Sequence, residues 1–172
     1  VPGVGFILIR KTVLELAKNN AHSLSLDLFD QWQAMEANAQ WRFTPPTHVL
    51  AAFHQALKEH LKEGGVMGRY QRYKKNCKII CEGMTAMGFK RLLSDELQAP
   101  IIITFIQPDH PNFKFKKFYD ALSEKGYLIY PGKLTAADTF RIGCIGHLTS
   151  KDMHEVLDVV KETLKELDIK LN

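Results

Sequence analysis

Cysteine is scarce in this chain: Cys77, Cys81 and Cys144 are the only 3 among 172 residues. So sparse and odd a set excludes a disulfide framework and points to a reducing compartment, so a cytoplasmic location is expected. Long apolar runs are missing too. None approaches the length that spans a bilayer, and no membrane partner is expected. Blocks of one charge are also lacking: 23 Lys and Arg stand against 19 Asp and Glu, a net charge of +4, with the lysines scattered over several amphipathic segments. Nucleic acid is therefore not an expected partner. There is no internal repeat and no low-complexity tract. With 45% hydrophobic and 24% charged residues, neither disorder nor a fibrous class is favoured. The start Val1-Pro2-Gly3-Val4-Gly5-Phe6 has neither an initiator methionine nor a basic leader, so the chain is expected to be cut from something longer.

What is present is a sequence of punctuated elements. Gly5 to Arg10, GFILIR, reads as a buried strand after a Pro-Gly turn, followed by a helix from Lys11 to Asn19. Ser25 to Gln40 is acidic and helix-like, and stops at Arg42-Phe43-Thr44-Pro45-Pro46. Two prolines cannot lie inside a helix but suit the start of one. Val49, Leu50, Phe53, Leu57 and Leu61 then repeat at helical spacing up to Gly64-Gly65. A second long helix sets Met67, Tyr70, Cys77, Ile80, Cys81, Met84 and Met87 on one face before Gly88. Beyond Gly88, strands over Ile101–Ile106, Tyr127–Tyr130 and Phe140–Ile142 alternate with a helix marked by Phe115, Phe118, Tyr119 and Leu122. A last helix opens with Thr149 and Asp152 at capping-box spacing. The fold class is α/β.

Each chemical constellation has a plainer reading beside it. Cys77 and Cys81 stand four apart on a helix and could share a metal, but lie on its apolar face without a second ligand pair. Buried core thiols are favoured, and no metal is expected. The seven histidines include no i, i+4 pair. The run Phe113-Lys114-Phe115-Lys116-Lys117-Phe118-Tyr119 has the composition of a nucleic-acid stripe, yet its aromatics fall at core spacing on an amphipathic helix. Thr44 and Thr47 flank two prolines at a helix N-terminus, where a hydroxyl and backbone N–H groups can hold a phosphate; a simple N-cap is the alternative. Arg141, set in Thr139-Phe140-Arg141-Ile142-Gly143-Cys144-Ile145-Gly146, either faces solvent or awaits an anion suited to its planar fork.

Taken in order, VPGVGF, SLDLFDQWQAME, WRFTPPTHV, EGG, GRYQRY, YPGKL and DTFRIGCIG resemble the C-terminal half of the 2-aminoethylphosphonate:pyruvate aminotransferase family, within the wider alanine-glyoxylate aminotransferase group. The resemblance covers nearly the whole chain. It implies the C-terminal part of a fold-type I pyridoxal 5'-phosphate enzyme, acting as a homodimer with active sites at the subunit interface. Residues 1–39 would end the large cofactor domain, 40–88 would form interface and connecting helices, and 89–172 the small domain. It further implies that Arg141 binds the phosphonate of 2-aminoethylphosphonate and the carboxylate of pyruvate, and that Thr44 reaches the cofactor phosphate of the neighbouring subunit. Trp41 is a weaker candidate for the same pocket. The family's Schiff-base lysine is expected just before Val1, and Lys11, Lys18 and Lys133 lack its context. The segment by itself is expected to be inactive, and to associate through apolar faces meant for the rest of the enzyme.

Overall fold

A computed structural model describes residues 3–132 and 137–171. The chain divides into two compact units, Val1–Lys62 and Glu63–Asn172. Val1 and Pro2 of the V-P-G turn, and Lys133 of YPGKL, lie outside the described residues.

The first unit holds helices α1 (Lys11–Glu15), α2 (Leu28–Asn38) and α3 (Thr47–Lys62), with one turn of 3-10 helix at Leu24–Leu26. Helix α2 starts where the Asp27 carboxylate accepts the Asp30 N–H at 3.0 Å, satisfying one of the donors a helix start leaves free. Helix α3 starts directly after the double proline, and the Pro46 carbonyl accepts the Leu50 N–H at 3.0 Å. A proline there gives up only an N–H that has no intrahelical partner.

The buried strand expected over Gly5–Arg10 is not formed: these residues have no regular structure before α1, and Phe6 is 72% and Leu8 92% exposed. An apolar run becomes a strand only where a neighbour completes its hydrogen-bond ladder. The sheet described below is built wholly from the second unit, and among the described residues no strand pairs with this run. The helix expected to Asn19 ends at Glu15. The apolar stripe of α3 is formed but uncovered, with Phe53, Leu57 and Leu61 all exposed.

The second unit contains α4 (Gly65–Ala86), β1 (Lys90–Arg91), β2 (Ile102–Ile106), α5 (Phe115–Glu124), β3 (Tyr130–Pro131), β4 (Thr139–Gly143) and α6 (Ser150–Glu166). The strands form one sheet in the order β1-β2-β4-β3, and every pair is antiparallel. The strand expected over Tyr127–Tyr130 shrinks to Tyr130–Pro131, at the sheet edge where a residue without an N–H is tolerated. Strand β1, two residues long, gives no sequence signal.

One face of this sheet carries Ile103, Phe105, Phe140 and Ile142, all buried, against Ile80 and Met84 of α4, Phe118 and Leu122 of α5, and Val156 and Val160 of α6. Phenylalanines dominate the core: the Phe140 ring lies 5.5 Å from Phe89, 5.6 Å from Phe105 and 5.7 Å from Phe118, centroid to centroid. Each such buried ring contributes about 1.5–3 kcal/mol by leaving water. Gly88 ends the α4 region at φ 92°, a conformation that a side chain would strain. Helix α6 begins as its capping box requires, with Asp152 Oδ2 accepting from the Thr149 N–H at 2.7 Å and the Thr149 hydroxyl at 2.6 Å.

Candidate functional site

Strand β4 alternates between the two faces of the sheet, and this alternation decides where Arg141 points. Phe140 and Ile142 face the core, so Arg141 lies on the opposite face, away from the phenylalanine cluster and only partly buried. The guanidinium is not trapped in an apolar interior. In register it lies between Thr104 of β2 on one side and Tyr130 of β3 on the other. Its Nε donates to the Pro131 carbonyl at 3.2 Å, and its Cζ lies 5.8 Å from the centre of the Tyr130 ring. Among the described residues neither terminal nitrogen has a hydrogen-bond or ion-pair partner. That leaves a planar pair of donors free to meet an oxyanion.

The Y-P-G motif is tied to this strand. The Gly132 N–H donates to the Thr139 carbonyl at 2.9 Å, and a Cβ on Gly132 would fall inside contact distance of that carbonyl and of the Thr139 hydroxyl. Only glycine lets the chain come so close to β4 here.

The loop after β4 is fixed from α4. Arg72 Nη1 donates to the carbonyls of Gly146 at 2.6 Å and Leu148 at 2.9 Å. Asn76, fully buried, donates through Nδ2 to Leu148 at 3.0 Å and Cys144 at 3.3 Å. Glu63 binds both arginines of G-R-Y-Q-R-Y, with Oε2 2.9 Å from Arg69 Nε and Oε1 2.5 Å from Arg72 Nε. The hydrogen bond from Arg72, with that from Arg69, holds the Glu63 carboxyl down to about 2 against a smaller opposing effect of burial. The motifs EGG and GRYQRY thus serve the loop that follows β4, the strand that carries Arg141.

Thr44 and Trp41 belong to the first unit, Arg141 to the second. Arg42 anchors the W-R-F-T loop, donating to the Leu24 carbonyl at 3.0 Å and pairing with Asp30 at 3.1 Å. Trp41, Phe43 and Thr44 are left exposed. The Thr44 hydroxyl has no hydrogen-bond partner among the described residues, and the carbonyl that receives the first bond of α3 is that of Pro46. Thr44 therefore does not cap α3.

Cys77 and Cys81 are buried, with their sulfurs 3.9 Å apart. The hydrogen bond to Cys144 and burial push the Cys77 thiol up to about 11; Cys81, hydrogen-bonded to Cys77 and buried, is raised further. Such thiols stay protonated near neutrality, as core groups do. Among the described residues no three His, Cys, Asp or Glu side chains gather as a metal site, and no helix is long and apolar enough to cross a membrane. A groove of about 830 Å³, lined by residues including Tyr70, Lys74, Arg91 and Gln98, opens beside α4. Arg141 does not line it, and the open sheet face is the better candidate because it presents a planar guanidinium fork whose terminal nitrogens have no partner among the described residues.

No family model matches the chain. Individual relatives do. The chain is 53% identical over 169 residues to a 2-aminoethylphosphonate–pyruvate transaminase of Rhizobium meliloti, covering 98% of this chain and 44% of the relative. It is 50% identical to that of Cupriavidus necator and 49% to that of Pseudomonas fluorescens, covering 45% and 46% of them. The chain is homologous to the C-terminal half of these transaminases. It spans about half the length of the curated relatives it matches.

Solved aminotransferases share the fold of this half at low identity. Pyridoxamine–pyruvate aminotransferase from Mesorhizobium loti superposes with a TM-score of 0.76 at 21% identity, over 95% of this chain and 43% of that one. Ureidoglycine–glyoxylate aminotransferase from Bacillus subtilis gives 0.75 at 20%, over 94% and 42%. The fold is thus the C-terminal part of a fold-type I aminotransferase, α/β with a small antiparallel sheet. Sequence reasoning singled out Arg141 through its motif; it did not foresee the contacts of Arg141 with Tyr130 and Pro131, nor the bonds from Arg72 and Asn76 that fix the loop after β4. Tyr130 and Pro131 stand in YPGKL and Arg72 in GRYQRY, but which strand or loop each would meet was not visible, and Asn76 falls in no motif.

Proposed function

We propose that the chain is the C-terminal portion of a pyridoxal 5'-phosphate-dependent enzyme that transfers the amino group of 2-aminoethylphosphonate to pyruvate. The products would be phosphonoacetaldehyde and L-alanine, a step of phosphonate catabolism. The observation that carries this reading is the fork of Arg141 on the open sheet face, unpaired among the described residues, in a chain 53% identical over 169 residues to a transaminase named for those substrates.

Arg141 holds the phosphonate in one half of the reaction and the carboxylate of pyruvate or alanine in the other. A guanidinium serves both because each anion offers two oxygens to its parallel N–H groups. The cofactor, when bound, supplies the electron sink that an amino-group transfer needs. Thr44 fits its phosphate: the hydroxyl is exposed, has no partner among the described residues, and stands just ahead of a 16-residue helix whose N-terminus favours an anion. Trp41 borders the same place. The lysine that carries the cofactor belongs to the half that precedes this segment. In the family-length protein, residues 1–39 close the large domain, 40–88 form the interface and connecting helices, and 89–172 the small domain. The enzyme is a cytoplasmic homodimer in which Thr44 acts on the neighbouring subunit's cofactor.

The test is turnover by the family-length protein with pyridoxal phosphate. The expected result is that 2-aminoethylphosphonate with pyruvate yields alanine and an aldehyde, at a kcat/KM well above that for alanine with glyoxylate. Faster turnover of alanine with glyoxylate would overturn the substrate assignment.

A further inference from the structure

We infer that Tyr130 is a positioning residue for Arg141, and that its ring rather than its hydroxyl sets the aim of the guanidinium. The inference rests on the reading of Arg141 as the substrate-anion site. Tyr130 and Arg141 are direct cross-strand partners at the edge of the sheet, which places their side chains on one face within reach of each other. The Cζ–ring distance of 5.8 Å is that of a cation–π contact. The next residue of the same strand supplies the second restraint, since the Pro131 carbonyl receives Nε at 3.2 Å. The edge strand β3 is thus two residues long and both act on Arg141, one through its ring and one through its carbonyl.

Together these contacts fix what a free arginine would lose on binding. The Nε bond sets the plane of the guanidinium, and the ring limits its swing along the strand. Neither terminal nitrogen has a partner among the described residues, so both are left for the ligand. A long side chain ordered beforehand gives up less rotamer freedom when the anion arrives, so affinity rises without any new contact to the substrate. The Tyr130 hydroxyl has no hydrogen-bond partner among the described residues, which assigns the effect to the ring. Tyr130 is 54% exposed and absent from the buried core, so its removal costs the fold little.

The experiment compares Tyr130→Phe, Tyr130→Leu and Arg141→Ala in the family-length holoenzyme, alone and as the Tyr130→Leu/Arg141→Ala pair. Tyr130→Phe is expected to keep the KM for 2-aminoethylphosphonate. Tyr130→Leu, which keeps bulk but removes the ring, is expected to raise it about two- to fivefold, the scale of an exposed cation–π contact. The thermal midpoint and kcat should stay near wild type, a split that a merely structural role would not give. In the Arg141→Ala background the Leu change should add nothing.

An unchanged KM in Tyr130→Leu, alongside a raised KM in Arg141→Ala, would overturn the inference and leave the anion site standing. A further rise of KM in the double variant would also overturn it. An unchanged KM in Arg141→Ala would remove the anion site itself and the inference with it.

Discussion

The two units of this chain have similar apolar patterns but very different interiors. The second buries a full set of phenylalanines and aliphatic residues between one sheet face and three helices. In the first, Leu14 is the one buried apolar residue among those described, while Phe6, Leu8, Leu24, Leu26 and Leu61 are largely exposed. Hydrophobic periodicity therefore says that a face is to be covered, and not what covers it. The second unit covers one face of its sheet with its own helices, and so holds the strand that carries Arg141 from that side while the other face stays open. The relatives are about twice as long, and the apolar run 5–10 is the kind of surface a longer chain would pair.

Core and surface truncations should separate the units most sharply. Phe140→Ala removes a fully buried ring that touches several others and is expected to destabilise the second unit by about 3–5 kcal/mol. Leu8→Ala, at 92% exposure, should change the stability of this segment by less than about 0.5 kcal/mol. Denaturant unfolding of both variants checks the contrast; equal losses would show that the first unit has a core of its own.

A smaller effect should appear at the clamp beneath β4. Glu63 titrates at about 2 because Arg72 and Arg69 bind its charged form. A folded-state value below the unfolded one adds stability that is complete above the unfolded value and fades as pH falls through the folded one. Glu63→Gln should thus lower the unfolding midpoint by an amount that is constant from about pH 7 to about pH 5 and shrinks toward zero near about pH 2. A gap that did not depend on pH would mean that Glu63 acts by packing alone.

How much of this was legible in the sequence follows from the range of each cause. Helix α6 was readable because its capping box and stripe lie within a few residues of one another. Strand β4 was readable from its apolar run, and with it the alternation that puts Arg141 on the face opposite Phe140 and Ile142. The pairing of β3 with β4, and so the Tyr130 contact, was not readable, because register between segments ten residues apart is set by the whole sheet. Strand β1 exists only because β2 offers it an edge. The strand expected over 5–10 failed for the converse reason, since its apolar residues were read correctly but its partner strand could not be.

The most direct test of the account is the effect of Arg141→Ala on KM for both substrates in the family-length holoenzyme. The fork supplies charge-assisted hydrogen bonds worth about 1.5–3 kcal/mol each, so KM for 2-aminoethylphosphonate and for pyruvate should each rise about tenfold or more while the fold is retained. Unchanged values for both, in a folded and cofactor-loaded variant, would contradict it.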